Sequence, residues 1–336
     1  MKEGTGLNLF FGGTAYLGIP HNEAFKKLVF EGIEIYGINH GASRTNNITL
    51  DIFSIAENEA ARRFGAEDSI LLSSGYLAAQ LLVQQYFETH QLIYAPDTHP
   101  ALWIGRANAP RIKFVEWIEK TIELINGSDQ PVMLISNSLN NLVPEIYNFD
   151  WLTRVDPHKE LILLIDDSHG IGITGNQGEG IYSRLPKLPN IQTYVIASMA
   201  KALGFDAGLI LGNSAGIKNL RTSPLYVGSS PPAPGMLYAF VHAADIYAHE
   251  LLYLRKNLRL FTDLLESTKN LFFINDFPVF LLLDDEIAAD LSKNGINISS
   301  FPYPDPRAKA IHRIVINSIH KKEELEILAK RINGVY

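Results

Sequence analysis

The stretch ASMAKALGFDAG (197–208) places Lys201 among alanine, leucine and glycine, directly after the apolar run TYVIAS (193–198). Two readings fit such a lysine. Its stem covers apolar surface while its head reaches water, or its amine, desolvated at a strand end and lowered in pKa, is a nucleophile able to form a Schiff base. Ser198 stands three residues before it. A second cluster lies in LILLIDDSHGIGITG (161–175), where Asp166 ends an apolar run and Asp167, Ser168, His169 and a glycine-rich loop follow. A carboxylate in that position needs a partner. It closes the strand as an Asx-turn, or it holds a protonated ring nitrogen of a cofactor while His169 donates to a second cofactor group. Asp166 and His169 are also metal-ligand types, but no third ligand stands nearby, so no metal is assigned.

Two further junctions carry residues of this kind. SSGYLAAQLL (73–82) sets Ser74, Gly75 and Tyr76 between an apolar run and a helical pattern. That is an ordinary helix cap, or a glycine turn presenting amides to a phosphate. His99 in DTHPAL (97–102) follows the run QLIYAP; taken alone it reads as a structural or exposed loop histidine. Taken together, a phosphate cradle, a carboxylate for a pyridinium nitrogen, a histidine to stack and a Schiff-base lysine are the parts of a pyridoxal phosphate site. The combination is far more specific than any member.

The elements that must position these residues are legible as short runs that are apolar throughout: SILLSS (69–74), QLIYAP (91–96), VMLIS (132–136), LILLID (161–166), TYVIAS (193–198) and GLILG (208–212). Such runs suit strands covered on both faces, as in a mainly parallel sheet flanked by helices. Ligands of open α/β sheets bind beyond the carboxyl ends of the strands, which is where the four clusters fall. The spacing predicts a helix over about 52–64, with Phe53, Ala56, Ala60 and Phe64 on one face and Gly65 as its stop. The expected fold class is α/β, with a large three-layer domain over residues 45–235. After SSPPAPG (229–235) a long helix is predicted, with Leu251, Leu254, Leu258, Phe261 and Leu265 in one stripe. FFINDFPVFLLL (272–283) reads as strands. KKEELEILAKRI (321–332) reads as a closing helix with acids first and bases last, as the helix dipole favours. Residues 236–336 are expected to form a smaller α+β C-terminal domain, and the N-terminal segment 1–44 to pack with either part.

Composition sets the outer bounds. A chain of 336 residues, 46% of them apolar, can bury a large core as one big domain or two unequal ones. A net charge of −7 argues against a nucleic-acid partner or an anionic membrane surface. The absence of cysteine removes disulfides, thiolate catalysis and cysteine-ligated metals. The opening residues lack the uninterrupted apolar core of a secretory signal, and no apolar run approaches the roughly 20 residues of a membrane helix. A cytoplasmic protein is expected.

On these residues the chain resembles the α-oxoamine synthases, within the fold-type I pyridoxal-phosphate enzymes (class II aminotransferase-like). YLG (16–18) resembles the end of the family's early Asn-Tyr-Leu-Gly, and YGINHGASR (36–44) its glycine-rich segment ending in Gly-Ser-Arg. FGAEDSILLSSGYLAA (64–79) and DDSHGIGITGNQGEG (166–180) are close matches, the latter to Asp-Asp-Ala-His-Gly-Thr-Gly. SMAKALG (198–204) matches the lysine motif, SSPPA (229–233) the end of the large domain, and HRIVINSIH (312–320) resembles the family's Arg-Leu-Arg-Leu segment. The resemblance implies that Lys201 carries the cofactor and shuttles protons at the substrate Cα. It also implies that Asp166 keeps the pyridine nitrogen protonated, His169 bonds the phenolic oxygen and His99 stacks on the ring. Ser74, Gly75, Tyr76, Ser198 and Ser229 fall at phosphate-binding positions, and Arg313 on the arginine that clamps the amino-acid carboxylate. A homodimer is implied, with the 36–44 loop and SSPPA serving the neighbour's site. The implied reaction is decarboxylative condensation of an amino acid with an acyl-CoA thioester. The alternatives are transamination, racemisation or aldol cleavage without CoA; a non-catalytic relative acting as a binding partner; and a nicotinamide dehydrogenase suggested by the glycines of HGIGITG.

The departures are concentrated. Ala15 stands where the family has asparagine, Ile48 and Phe53 where it has glycine and histidine, Asn137 where it has an acid, and Gly228 where it has threonine. Ala15 and Asn137 fall, with Arg313, on substrate-binding positions. Cofactor-binding positions are thus kept, while those shaping the second substrate's site are altered.

Overall fold

The structure is a computed structural model that describes residues 8–105, 109–303 and 305–334. The first seven residues of the N-terminal segment and the last two of the chain lie outside it. The strands run β1 Leu9–Phe11, β2 Asp68–Leu72, β3 Gln91–Tyr94, β4 Val132–Asn137, the short β5 Leu139–Asn140 and β6 Glu145–Ile146, then β7 Leu161–Asp166, β8 Ile191–Ser198 and β9 Gly208–Gly212. They continue with β10 Leu271–Phe273, β11 Val279–Leu282, β12 Ile296–Phe301 and β13 Ile311–Val315.

Six of them form one sheet in the order β2-β9-β8-β7-β4-β3. β3, β4, β7 and β8 pair in parallel, while β9 runs antiparallel to both its neighbours. The exception has a simple cause. Only residues 199–207 separate β8 from β9, too few for the crossover that a parallel neighbour requires. Successive residues of these strands point to opposite faces, and both faces are dry. Ile70, Met133, Leu164, Tyr194 and Ile210 pack on one side; Leu71, Leu134, Leu163, Val195 and Leu209 pack on the other. Burying a side chain of this kind contributes about 1.5–3 kcal/mol, which explains runs without polar alternation. The register sets Asn137 level with Asp166, and Asp166 level with Ile196. The carboxyl ends of three central strands therefore form one ledge.

The helix predicted over 52–64 spans Asp51–Phe64, and Gly65 ends it at φ +75°. Ile52, Ala56, Ala60 and Phe64 are buried along it, with Phe53 packed at the margin. The long helix Ala244–Leu264 buries Leu251, Leu254, Leu258 and Phe261, and Lys322–Ile332 closes the chain as a helix. A second sheet has the order β1-β12-β13-β11-β10. β1 joins it in parallel beside β12, whereas the helix Glu23–Tyr36 packs on the helix Pro234–His242. The N-terminal segment thus serves both parts of the molecule. No described helix is long and apolar enough to cross a membrane.

Candidate active site

Lys201 lies in the 199–207 loop, which Met199 N–H closes onto Ala207 O at 2.9 Å. Met199, Ala202, Leu203 and Phe205 are all buried, so the apolar neighbours anchor the loop while the lysine side chain leaves it. It enters a cavity of ≈ 210 Å³ that is also lined by Asp166, His169, His99, Asn137 and Arg313. Six residues singled out in the sequence therefore meet, from strands and loops up to 214 positions apart (313 − 99). Burial pulls the Lys201 ammonium below the ordinary lysine value, and the negative charge of Asp166 partly opposes it. A larger concavity, ≈ 840 Å³, opens at the amino ends of the strands beside Leu161 and Ile191; none of these six residues lines it.

Asp166 ends β7, and its Oδ1 accepts from Ser168 N–H at 2.9 Å. Ser168 Oγ in turn accepts from Ser198 N–H at 2.8 Å, tying the end of β7 to the end of β8. The adjacent Asp167 is fully buried and accepts from Ile181 N–H at 2.8 Å. Burial raises its carboxyl to about 7. Gly180, at φ +75°, leaves no room for a side chain there, since a Cβ would stand 2.3 Å from Asp167 Oδ2. Gly170 of HGIGITG is as tightly placed, a Cβ there standing 2.0 Å from Asp167 Oδ1, and that stretch runs in turns and opens no helix. These glycines fix the loop that carries His169.

His169 meets a partner that the sequence did not point to. Tyr16 Oη lies 2.8 Å from His169 Nδ1, although the residues are 153 positions apart. Burial, then the positive charges of Lys201 and Arg313, push His169 well below the usual histidine value, so it is neutral at pH 7. Burial raises the Tyr16 phenol, so it keeps its proton. A neutral imidazole engaged at Nδ1 has only Nε2 left for a ligand. The Tyr16→Phe variant is therefore expected to loosen cofactor binding about three- to tenfold, with a Tm change of only a few degrees. This corresponds to one lost hydrogen bond of about 1 kcal/mol. Unchanged cofactor affinity by titration would remove Tyr16 from the site.

His99 precedes a short 3₁₀ turn, and its Nδ1 accepts from Ala101 N–H at 3.1 Å. Burial and Lys201 lower its pKa, and Asp166 raises it. Asn137 explains why an amide stands where an acid was expected. Its Oδ1 accepts from His99 N–H at 3.2 Å, while its Nδ2 donates to Asp97 O at 2.7 Å. A carboxylate cannot make the second bond. Arg313 is buried, lies over the Phe301 ring at 5.0 Å and donates from Nη1 to Asn141 O at 3.2 Å. Its buried Nε has no partner.

The remaining predicted positions lie beside the cavity. Ser74 caps the helix Gly75–Tyr86 by accepting from Leu77 N–H at 3.2 Å. Gly75 packs against Ser198 so closely that a Cβ would stand 2.7 Å from Ser198 Cβ. This close approach requires glycine, and it brings the Ser74-Gly75-Tyr76 turn to the Ser198–Ser168–Asp166 chain of contacts. Ala15 neighbours Thr14, which lines the cavity, but does not itself line it. Ser229 does not reach this chain's cavity, and its Oγ donates to Tyr226 O at 2.7 Å. Of the departures, Ile48 is 71% exposed, Phe53 meets His40 edge-on at 6.0 Å, and Gly228 has open space around it. The residues missed in the sequence are Tyr16, Ser168, Asp97, Asn140 and Asn141. Among the described residues no three metal-ligating side chains converge.

No protein-family model matches the chain. It is 24% identical over 340 residues to 8-amino-7-oxononanoate synthase of Thermosipho melanesiensis, covering 95% of this chain and 86% of that protein. The fold matches a serine palmitoyltransferase variant from S. paucimobilis with a bound PLP–myriocin aldimine, at TM-score 0.80 and 19% identity, over 98% of this chain and 89% of that one. It matches 8-amino-7-oxononanoate synthase from Francisella tularensis at TM-score 0.76 and 20% identity, over 97% of each chain. The chain is thus similar over nearly its whole length, in sequence and in fold, to these proteins, and it is built on the fold-type I architecture that they share.

Proposed function

We propose that the protein is a pyridoxal-phosphate-dependent transferase that condenses an amino acid with an acyl-CoA thioester, releasing CoA thiol and carbon dioxide and leaving an aminoketone. The observation that carries this reading is Lys201, a half-buried lysine of lowered pKa facing Asp166 in the cavity that holds both histidines and Arg313. The residues fit the cofactor. The opening amides of the helix Gly75–Tyr86 have no intrahelical acceptor and suit a phosphate. Asp166 suits a protonated ring nitrogen, His169 Nε2 a phenolic oxygen, and His99 a ring face. Pyridoxal phosphate, when bound, supplies an electron sink conjugated to the amino acid's Cα.

The chain's own groups then do the rest. Lys201 Nζ would hold the cofactor by its aldehyde carbon and would be the base for the substrate Cα proton; its lowered pKa leaves more of it in the basic form near neutrality. Arg313, with its unpartnered Nε, receives the amino acid's carboxylate. That grip would fix how the Cα substituents are turned relative to the cofactor, and so which bond breaks. The acyl donor is inferred from the relatives, one of which is by name a palmitoyltransferase acting on serine.

A homodimer, acting in the cytoplasm, belongs to the same proposal. Arg44 pairs with Glu57 at 3.6 Å and donates to Tyr226 Oη at 3.3 Å, so the loop after residue 36 is docked beside the segment that carries Ser229. Ile38, Ile48 and Tyr76 are 75%, 71% and 63% exposed. Apolar exposure at those loops suits a partner surface.

With loaded protein, thiol release should require both an amino acid and an acyl-CoA, and sedimentation should give a two-chain particle. Amino-acid turnover without thiol release would move the assignment to CoA-independent chemistry on the same cofactor. A monomer with full activity would refute the shared site.

A further inference from the structure

Asp97 is the carboxylate of the cavity to which the reaction gives no task. Asp166 and Asp97 are the two acids among the described lining residues. Asp97 sits at φ +58°, in the left-handed region that few non-glycine residues adopt. Its backbone is pinned there. Asn137 Nδ2 donates to its carbonyl at 2.7 Å, and next to it Thr98 Oγ1 donates to Ala95 O at 2.6 Å. The side chain is held as well, since Oδ2 accepts from Asn140 Nδ2 at 3.0 Å. The Asn140 amide cannot turn around, because its Oδ1 accepts from Leu142 and Val143 N–H at 2.9 and 3.1 Å.

No cation among the described residues stands within ion-pair distance of Asp97. Burial raises its pKa and Asn140 opposes the rise, while the phenol of Tyr303, which also lines the cavity, is raised by burial and then by the charges of Asp97 and Asp166. Adjacent residues of one segment therefore touch opposite charges: Asn141 O accepts from Arg313, and Asn140 Nδ2 donates to the Asp97 carboxylate. Such strain and fixed orientation for one unmatched charge point to a ligand group.

We propose that Asp97 is a specificity determinant that selects amino acids whose side chain ends in a hydrogen-bond donor, an ammonium ahead of a hydroxyl, and rejects those ending in a carboxylate. The inference rests on the function proposed above, with Arg313 taking the α-carboxylate. Asp97 then faces whatever the side chain presents: a donor completes its pairing, an alkyl group leaves it unpaired, and a second carboxylate repels it.

The test uses pyridoxal-phosphate-loaded protein and the change in its visible spectrum on adding L-2,4-diaminobutyrate, L-2-aminobutyrate or L-aspartate. Affinity should fall in that order, by about tenfold at each step. In Asp97→Asn, which keeps an acceptor for Asn140 and tolerates the backbone angle, the diaminobutyrate-to-aspartate ratio should shrink at least about tenfold while 2-aminobutyrate moves less than about threefold. Asp97→Gly, which also accepts the angle, should do the same. Wild-type preference for aspartate, or a ratio unchanged in both variants, overturns the inference and leaves the function standing. A chain that takes up no cofactor overturns both.

Discussion

In the Lys201→Ala protein, loaded with pyridoxal phosphate and treated with borohydride, no cofactor is expected to stay with the denatured chain, and turnover falls by on the order of 10³-fold or more. Two tasks would end together, since in the proposed function the same Nζ holds the cofactor and accepts the Cα proton. The fold should survive. Met199, Leu203 and Phe205 anchor the loop by their own burial, and the Met199–Ala207 closure uses backbone alone. Removing this amine also removes the desolvation that lowers its pKa, so Tm should hold or rise slightly. Mass spectrometry reads the adduct, and circular dichroism reads the fold. A variant that still carries a borohydride-fixed cofactor, or that keeps wild-type turnover, would overturn the central assignment.

The parts of this site that were legible in the sequence are those whose chemistry clashes with its surroundings. Lys201 among alanines, Asp166 at the end of five apolar residues and Gly75 at a strand–helix junction each break a local pattern. The strands were legible for the opposite reason, because both faces are covered and no polar alternation interrupts them. What stayed hidden depends on pairs that form only when distant segments meet. Tyr16 stands in the sequence only as part of YLG, with no task, until the fold sets its hydroxyl on His169. Ser168 reads as one residue of a turn until its hydroxyl meets the backbone of β8. Asn137 looked like a lost acid because its sequence neighbours do not reveal that it must donate to Asp97 O. Asn141 acts through its carbonyl, and a backbone acceptor leaves no trace in residue type. The reversed β9 is a different case. The nine residues between TYVIAS and GLILG were enough to forbid a parallel crossover, and the apolar pattern alone does not report direction.

Asp166→Asn separates the electrostatic role of this carboxylate from its structural one. The amide keeps an oxygen for the Ser168 N–H, so the turn that carries His169 and the contact from Ser168 to Ser198 should persist with little change in Tm. The charge is lost, and with it the group that would keep a pyridine nitrogen protonated, so turnover is expected to fall about 10²–10³-fold, the usual effect of removing one preorganised charge-stabilising group. A second readout distinguishes this from general damage. Asp166 raises the pKa of Lys201 and of His99, so its neutralisation should lower both further. In cofactor-free protein, labelling of Lys201 by an amine-selective reagent should already titrate below the ordinary lysine range, and in Asp166→Asn its midpoint should move to still lower pH. The amine thus becomes more available while catalysis collapses. A merely structural role for Asp166 predicts the reverse coupling, with Lys201 more solvated, its midpoint moving up towards the ordinary value, and activity lost only as fast as the fold.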